Sequence, residues 1–394
     1  MTEAGDPGPD YLDRYDALLL DLDGTVYQGR EAVPGAVDAL RAASARGTRF
    51  RYVTNNAARP PEAVAEHLVE LGFAAAPAEV STSAQAGASV LAERLAPGST
   101  VAVVGTEALR AEVSAVGLRP VRAGELDDPG SAVAVVQGHS PETGWRDLAA
   151  ACRVIRGGGL WVACNLDPTV PTDVGQLPGN GSMVAALRTA TGAEPLVAGK
   201  PRRPLFDQAV RGAGFRRPLV VGDRLDTDIA GARNAGLASL LVLSGVCTGR
   251  DLLACVEEER PDHVAWDLAA LHAPHAHGAL PRGESPVDAD GPAGAWVVER
   301  SAEPGAEGRL VVRHAGGAHA PSSLGLLLAL CAAWWPVGGT RARWWPSTTP
   351  RRPRCGRSAS PWSGTEPARA GSPLDRADGC APGTSGSSAS EEIR

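Results

Sequence analysis

The chain has almost no lysine. Of its 38 basic residues, 37 are arginine, and Lys200 stands alone among its 394 residues. A GC-rich coding sequence favours arginine codons, so a lysine that persists marks a place where a planar fork does not serve. A compact ammonium differs from a guanidinium most at a tight phosphate or carboxylate site. Aromatic residues are also few, at 4%, and the formal net charge is −7. That balance argues against a broad nucleic-acid surface. The seven cysteines are odd in number and none sits in a CxxC pair, which disfavours a disulfide scaffold or a zinc site and points to buried thiols in a reducing cytoplasm. No N-terminal stretch has a signal peptide's basic and apolar regions. The longest apolar run, Leu324 to Trp335, is too short to cross a bilayer. The expectation is a cytoplasmic protein with neither nucleic acid nor membrane as partner.

What is present begins at residues 16–29, DALLLDLDGTVYQG. Ala17–Leu20 reads as a short buried strand, and it runs straight into Asp21 and Asp23. Anions beside an apolar run need a partner or a metal. On an extended chain, side chains two apart share a side, so both carboxylates are expected over the strand's carboxyl end, where open α/β sheets bind ligands. A plain Asp-Gly turn competes with that reading. An EF-hand loop does not, because Gly24 falls fourth and Ala32 twelfth, where the loop needs glycine sixth and Glu twelfth.

From residue 16 to about 272, apolar strand-like runs alternate with helical stretches: RFRYVT, VAVVG, AVAVVQG, LWVAC, PLVVGD and ASLLVLSG are the strands. Such alternation predicts parallel sheets flanked by helices. There are too many strands for one modest sheet. The expected division is a doubly wound α/β core in two parts, 13–82 and 197–272, with an α/β domain inserted at 83–196. Residues 273–334 read as a linker followed by two strands, WVVER and RLVVRH, that pair as a hairpin under a helix, SSLGLLLALCAAWW. Residues 335–394 hold nine arginines against five acids and show no periodicity, so disorder, or translation out of frame, is the expectation. Single-stranded nucleic-acid binding by this tail is the weaker reading.

Four strand ends or loops carry chemistry. Asp21 and Asp23 end one strand, Thr54 ends a second, Lys200 lies in AGKP, and Asp223 ends another in GDRLDTDI. A carboxylate can act as nucleophile, carboxylates with phosphate oxygens hold Mg²⁺, and a lysine with hydroxyl donors neutralises a transferring phosphoryl group.

As a set and in this order, DLDGTVYQG, VTNNAARP, LPGNGSMVAAL, AGKP and GDRLDTDIAGARNAG resemble the haloacid dehalogenase superfamily, specifically its subclass IIA of p-nitrophenyl phosphatase-like, phosphoglycolate and sugar phosphatases. The resemblance covers about residues 13–272. It implies an Mg²⁺-dependent phosphatase for small phosphomonoesters, with Asp21 as nucleophile and Asp23 as general acid and base. It implies that Thr54, Asn55 and Lys200 bind phosphate, and that Asp21, the Asp23 carbonyl and Asp223 bind the metal with support from Asp228. Helix capping competes for Asp228, and Asp226 is assigned to the helix start. The insertion would be a cap of the C2 type that closes over the site, with His139, Asn165, Asp167 and Asn180 as candidate substrate contacts. For the glycines around Asn180 a structural turn is equally expected. The partners implied are a small phosphate ester and, as a homodimer, a second copy. A phosphotransferase of the same superfamily is one alternative, and a receiver-like phospho-acceptor module is another. The receiver reading fits poorly, since its acidic pair usually comes from adjacent residues.

Overall fold

The computed structural model describes residues 10–172, 174–272, 278–279, 296–300, 310–314 and 323–335. Most of the linker expected after 272, and the arginine-rich tail from 336 on, lie outside the described residues.

The run Ala17–Leu20 (β1) is buried on both sides, as a central strand of a parallel sheet must be. Its side chains alternate between two cores. Leu18 and Leu20 join Leu219, Val221, Leu240 and Val242 on one face. Leu19 joins Val53 and Val220 on the other. After the short hairpin Tyr27–Gln28 (β2) and Glu31–Ala32 (β3), the chain passes through a helix, Ala36–Ala45, into Arg49–Thr54 (β4) and then Val80–Thr82 (β5). An insertion follows, with Thr100–Val104 (β6), Arg119–Arg122 (β7), Ala134–Gln137 (β8), Leu160–Ala163 (β9), the exposed hairpin Thr169–Thr172 (β10) and Gly175–Pro178 (β11), and Leu196–Val197 (β12). The chain then returns with Pro218–Gly222 (β13), Ala238–Val242 (β14), His263–Ala265 (β15) and Gly278–Ala279 (β16).

The first sheet has the order β16-β15-β14-β13-β1-β4-β5, parallel except for β16. The chain builds outward from β1 through β4 and β5, then crosses to the opposite side of β1 with β13. The reversal falls between β1 and β13, and at such a switch point the strand ends part to leave a crevice for ligand. The second sheet, β12-β9-β8-β6-β7, is wholly parallel. Its strands alternate as well. Ala102, Val104, Val135, Trp161 and Ala163 face the helices Trp145–Arg156 and Asn180–Thr191.

The opposite face, with Val101, Val103, Val136 and Val162, shares one apolar cluster with Leu19, Val53 and Val220 of the first sheet. The helices Ser83–Ala92 and Arg203–Val210 fill the space between the two sheets. Val197 pairs with Ala163, so the second sheet runs one residue past the boundary drawn at 196.

Trp296–Arg300 (β17) and Leu310–His314 (β18) pair antiparallel. The helix Ser323–Trp334 packs on that hairpin, along β17, and on the first domain. Leu324, Leu327, Leu328 and Cys331 are buried with Leu225, Ile229, Leu241, Leu252 and Val264, and Val298 of the hairpin lies at the margin. Because the helix has an apolar face to cover, it closes a core that β14 and β15 leave open. Leu328→Ala is expected to cost about 2–5 kcal/mol, the usual range for emptying a buried leucine site. A thermal scan reads this, and an unchanged melting midpoint would show that the helix adds nothing to the fold.

Candidate active site

The strand expected to carry into Asp21 and Asp23 ends before both of them. The strand stops at Leu20, and the chain then coils round the carbonyl of Leu22, which accepts the N–H groups of Thr25, Val26 and Tyr27 at 3.3, 2.9 and 3.1 Å. Asp21 points inward, and Asp23 is exposed at the mouth. Crowding by the surrounding protein nevertheless raises the Asp23 carboxyl pKa, partly offset by a hydrogen bond from the Gly29 backbone.

Parallel pairing carries Asp21 to Asp223. The Asp21 N–H donates to Val221 at 2.8 Å, which sets the ends of β1 and β13 side by side. A π-type turn, Leu225–Ile229, brings Asp228 back toward them. One carboxylate oxygen from each of Asp21, Asp223 and Asp228 lies within 4.8 Å of the others.

Lys200 enters this group almost completely buried. Its ammonium pairs with Asp21, sits 2.7 Å from Asp228 Oδ1, and donates to the Val53 carbonyl at 3.1 Å. Burial alone would pull the lysine pKa down, but Asp21 and Asp228 overcome that and hold it well above its ordinary value. Three carboxylates against one ammonium leave excess negative charge. Burial first, then repulsion from Asp228, pushes Asp21 up to about 8 against the opposing pull of Lys200. The same two causes raise Asp223 to about 6, opposed by the Val246 N–H and Lys200.

The residues fit a magnesium ion. Asp223 Oδ2 accepts the Val246 N–H at 2.6 Å, while its Oδ1 is buried with no hydrogen-bond partner among the described residues. A buried carboxylate oxygen left unpaired is costly unless a cation meets it. An all-oxygen donor set suits Mg²⁺. Glycines make room for Asp223: a Cβ on Gly24, whose φ is +91°, would lie 2.4 Å from its Oδ2, and one on Gly245 would lie 2.1 Å away. Asp228 meets both the start of the turn and the cluster. Its Oδ2 accepts the Arg224 N–H at 3.1 Å, and its Oδ1 faces Lys200. Asp226 is tied to Arg224 at 2.8 Å, away from the cluster.

Thr54 ends β4, buried, with Oγ1 accepting the Asn56 N–H at 3.1 Å. The Asn55 side chain is spent on the backbone of Lys200 and on Asp167. Within the insertion, His139 is half-buried on a loop that packs against Ala57, as a Cβ on neighbouring Gly138 would lie 3.1 Å from it. Asp167 faces the core, accepting from Asn55 at 3.3 Å and feeling the charge of Arg224.

Asn165 and Asn180, expected as substrate contacts, are buried and give their amide hydrogens to backbone carbonyls. The glycines beside Asn180 permit close backbone approach: a Cβ on Gly181 would lie 2.1 Å from the Leu166 carbonyl. Sequence reasoning missed Arg224 and the Gly245–Cys247 loop. Arg224 adjoins Asp223 in GDRLDTDI and was legible as a neighbour. The loop follows β14 without any charged residue to signal it.

A sheet with its crevice at a carboxylate cluster, one buried lysine and an oxygen-only cation site defines an Mg²⁺-dependent phosphatase of small phosphomonoesters. The chain belongs to the haloacid dehalogenase superfamily, in its subclass IIA. A family model described as haloacid dehalogenase-like hydrolase matches residues 18–119, and a second, HAD-hydrolase-like, matches 197–271. The chain is 57% identical to a D-glycerol 3-phosphate phosphatase of Mycobacterium tuberculosis over 66% of its own length and 71% of that protein. It is 36% identical to the 5′-nucleotidase YutF of Bacillus subtilis over 64% of its length and 96% of that protein. Among solved structures, the glycerol phosphate phosphatase from Mycobacterium tuberculosis in complex with magnesium aligns with a TM-score of 0.73 and 46% identity, covering 83% of this chain and 92% of that one. A 4-nitrophenylphosphatase from Thermotoga maritima aligns with a TM-score of 0.60 at 30% identity, covering 66% and 97%. No described helix is long and apolar enough to cross a membrane.

Asp21 and Asp223 hold protons more tightly folded than unfolded, so the metal-free protein loses their contribution to stability as pH rises from the ordinary carboxyl value of 3.8 toward 8. Mg²⁺ competes with those protons. The rise in melting temperature on adding Mg²⁺ is therefore expected to be larger at pH 8 than at pH 6, and equal rises would show that the ion does not displace them. Gly245→Ala, which drives a methyl into the Asp223 carboxylate, is expected to reduce that Mg²⁺-induced rise at pH 8. A rise equal to that of the wild type would mean that the cradle tolerates a side chain.

Proposed function

We propose that Asp21 is the nucleophile, and the observation that carries this is its pairing with the buried Lys200 at the switch point between β1 and β13. A carboxylate oxygen of Asp21 attacks phosphorus in line with the ester oxygen. The P–O bond to the leaving group breaks and an aspartyl-phosphate remains. Asp23, at the mouth with a raised pKa, holds a proton to give to the departing alkoxide. Now ionised, it takes a proton from the water that cleaves the acyl phosphate and frees Asp21. Lys200 and Thr54 hold the non-bridging oxygens, and the ammonium offsets charge as the phosphoryl group transfers. Asp21, Asp223 and the Asp23 carbonyl would hold Mg²⁺, with Asp228 behind them. When bound, the ion neutralises phosphoryl oxygens and orients them.

We assign the choice of leaving group to the inserted domain, a reading supported by the approach of Asp167 to Asn55 and of the His139 loop to Ala57. A small polyol phosphate of the glycerol 3-phosphate kind is the substrate we favour, supported by the 57% identity to the mycobacterial glycerol 3-phosphate phosphatase. The described cysteines are all free thiols, which supports a reducing, cytoplasmic setting. A homodimer that covers Trp145, more than four-fifths exposed on the insertion, is the assembly we favour.

The test is inorganic phosphate release from glycerol 3-phosphate, a hexose phosphate and a 5′-nucleotide, with and without Mg²⁺. Glycerol 3-phosphate is expected to have the highest kcat/KM, and Asp21→Asn to abolish turnover of all three. Asp23→Asn is expected to lower kcat by roughly 10²–10⁴-fold. Full activity in Asp21→Asn would overturn the nucleophile assignment.

A further inference from the structure

Three buried or half-buried asparagines take no part in the chemistry above, and their side chains form one continuous relay. Asn180, at the start of the helix Asn180–Thr191, donates from Nδ2 to the carbonyls of Asn165 at 2.7 Å and Gln137 at 3.3 Å. Asn165, just beyond β9, donates to the carbonyl of Asn55 at 2.7 Å. The same carbonyl accepts the hydroxyl of Ser83 at 2.5 Å, from the first residue of the helix Ser83–Ala92. Asn55 in turn grips the backbone of Lys200 on both sides. Its Oδ1 accepts the Lys200 N–H at 2.7 Å, and its Nδ2 donates to the Lys200 carbonyl at 3.2 Å. A primary amide offers an acceptor and a donor on one planar head, which this double grip uses.

Two further features tighten the contact. Gly199 lets the lysine loop lie flat on this assembly, since a Cβ there would stand 2.6 Å from Asn55 Oδ1 and 2.4 Å from the Cys164 carbonyl. Asp167 Oδ1 accepts the Asn55 amide as well, at 3.3 Å. Ser83 begins the helix that leads into the inserted domain, while Asn165 and Asn180 belong to that domain. Ser83 and Asn165 meet at one peptide group, that of Asn55, Asn180 reaches it through the Asn165 backbone, and Asn55 sets Lys200.

We infer that Asn55 is a positioning residue for Lys200, and that Asn165 and Asn180 couple the placement of the inserted domain to that lysine. The inference rests on the reading of Lys200 as a phosphate ligand. The geometry is short-range and rigid. Each link is a hydrogen bond between a buried or half-buried asparagine side chain and a backbone group, with no long side chain to absorb a displacement. A shift of the Asn180 helix therefore moves the Asn55 peptide, and with it the loop from which the ammonium reaches Asp21 and Asp228. The seating of the inserted domain and the placement of the lysine are one arrangement.

The experiment measures inorganic phosphate affinity in the presence of Mg²⁺ by calorimetry, for wild type, Asn180→Ala, Lys200→Met and the double variant. Asn180→Ala is expected to weaken phosphate binding by about three- to tenfold, the worth of one buried hydrogen bond. In the Lys200→Met background it is expected to cost nothing further, because its effect runs through the lysine. An equal loss in both backgrounds overturns the coupling, as does an unchanged affinity in Asn180→Ala. Undiminished phosphate binding in Lys200→Met alone overturns the reading of the site instead. Should Asn180→Ala not fold, Asn180→Asp keeps the shape and removes the two donated hydrogen bonds, and the same cycle is run with it.

Discussion

A single ammonium buried among carboxylates is the constraint on which the rest of the structure depends. Lys200 meets Asp21 and Asp228 in the interior, and Asp223 stands alongside without an ammonium of its own. Charges so placed persist only when nearly every one is paired and the remainder is met by a cation. The parallel register of β1 with β13 brings Asp21 beside Asp223, a turn of π type returns Asp228, and glycines at 24 and 245 let the backbone approach the Asp223 carboxylate. Arginine would not fit at position 200. Its guanidinium is wider than an ammonium and cannot present three donors toward Asp21, Asp228 and the Val53 carbonyl from one nitrogen.

The two sheets do not meet as independent bodies. One apolar cluster runs from Leu19, Val53 and Val220 through the helices Ser83–Ala92 and Arg203–Val210 to Val101, Val136 and Val162. Buried polar links then join the two domains, Ser83 and Asn165 to the Asn55 carbonyl and Asn180 to the Asn165 carbonyl. Apolar packing gives the interface its adhesion, and the hydrogen bonds give it a single register. A cap that only excluded water would need the first; a cap that also sets a lysine needs the second.

The helix Ser323–Trp334 extends the same logic to the far edge. It covers Leu225 and Ile229, on the turn that carries Asp228, and Cys247, whose N–H donates to the Asp223 carbonyl at 3.2 Å. The segment after residue 272 thus supports the backbone that orients two of the carboxylates.

Much of this was legible in the chain itself. Continuous apolar runs such as ALLL, VAVV and PLVVG are strands because both their faces are buried, and local composition suffices to show it. Lys200 declared itself by being the only lysine, and the acidic residues by following strands directly. What the sequence could not determine were quantities that depend on residues far apart. Asp21 is largely buried and Asp23 exposed, two residues apart, because Asp21 meets Lys200 across the fold. Asn165 and Asn180 face carbonyls contributed by β8 and by residue 55, and amides in a sequence carry no sign of which partner they will meet. The pairing of Asp228 with Lys200 and the covering of Leu225 by a helix a hundred residues later are likewise set by tertiary packing. Local periodicity fixes what a segment is; only the closure of the fold decides which buried polar groups must satisfy one another.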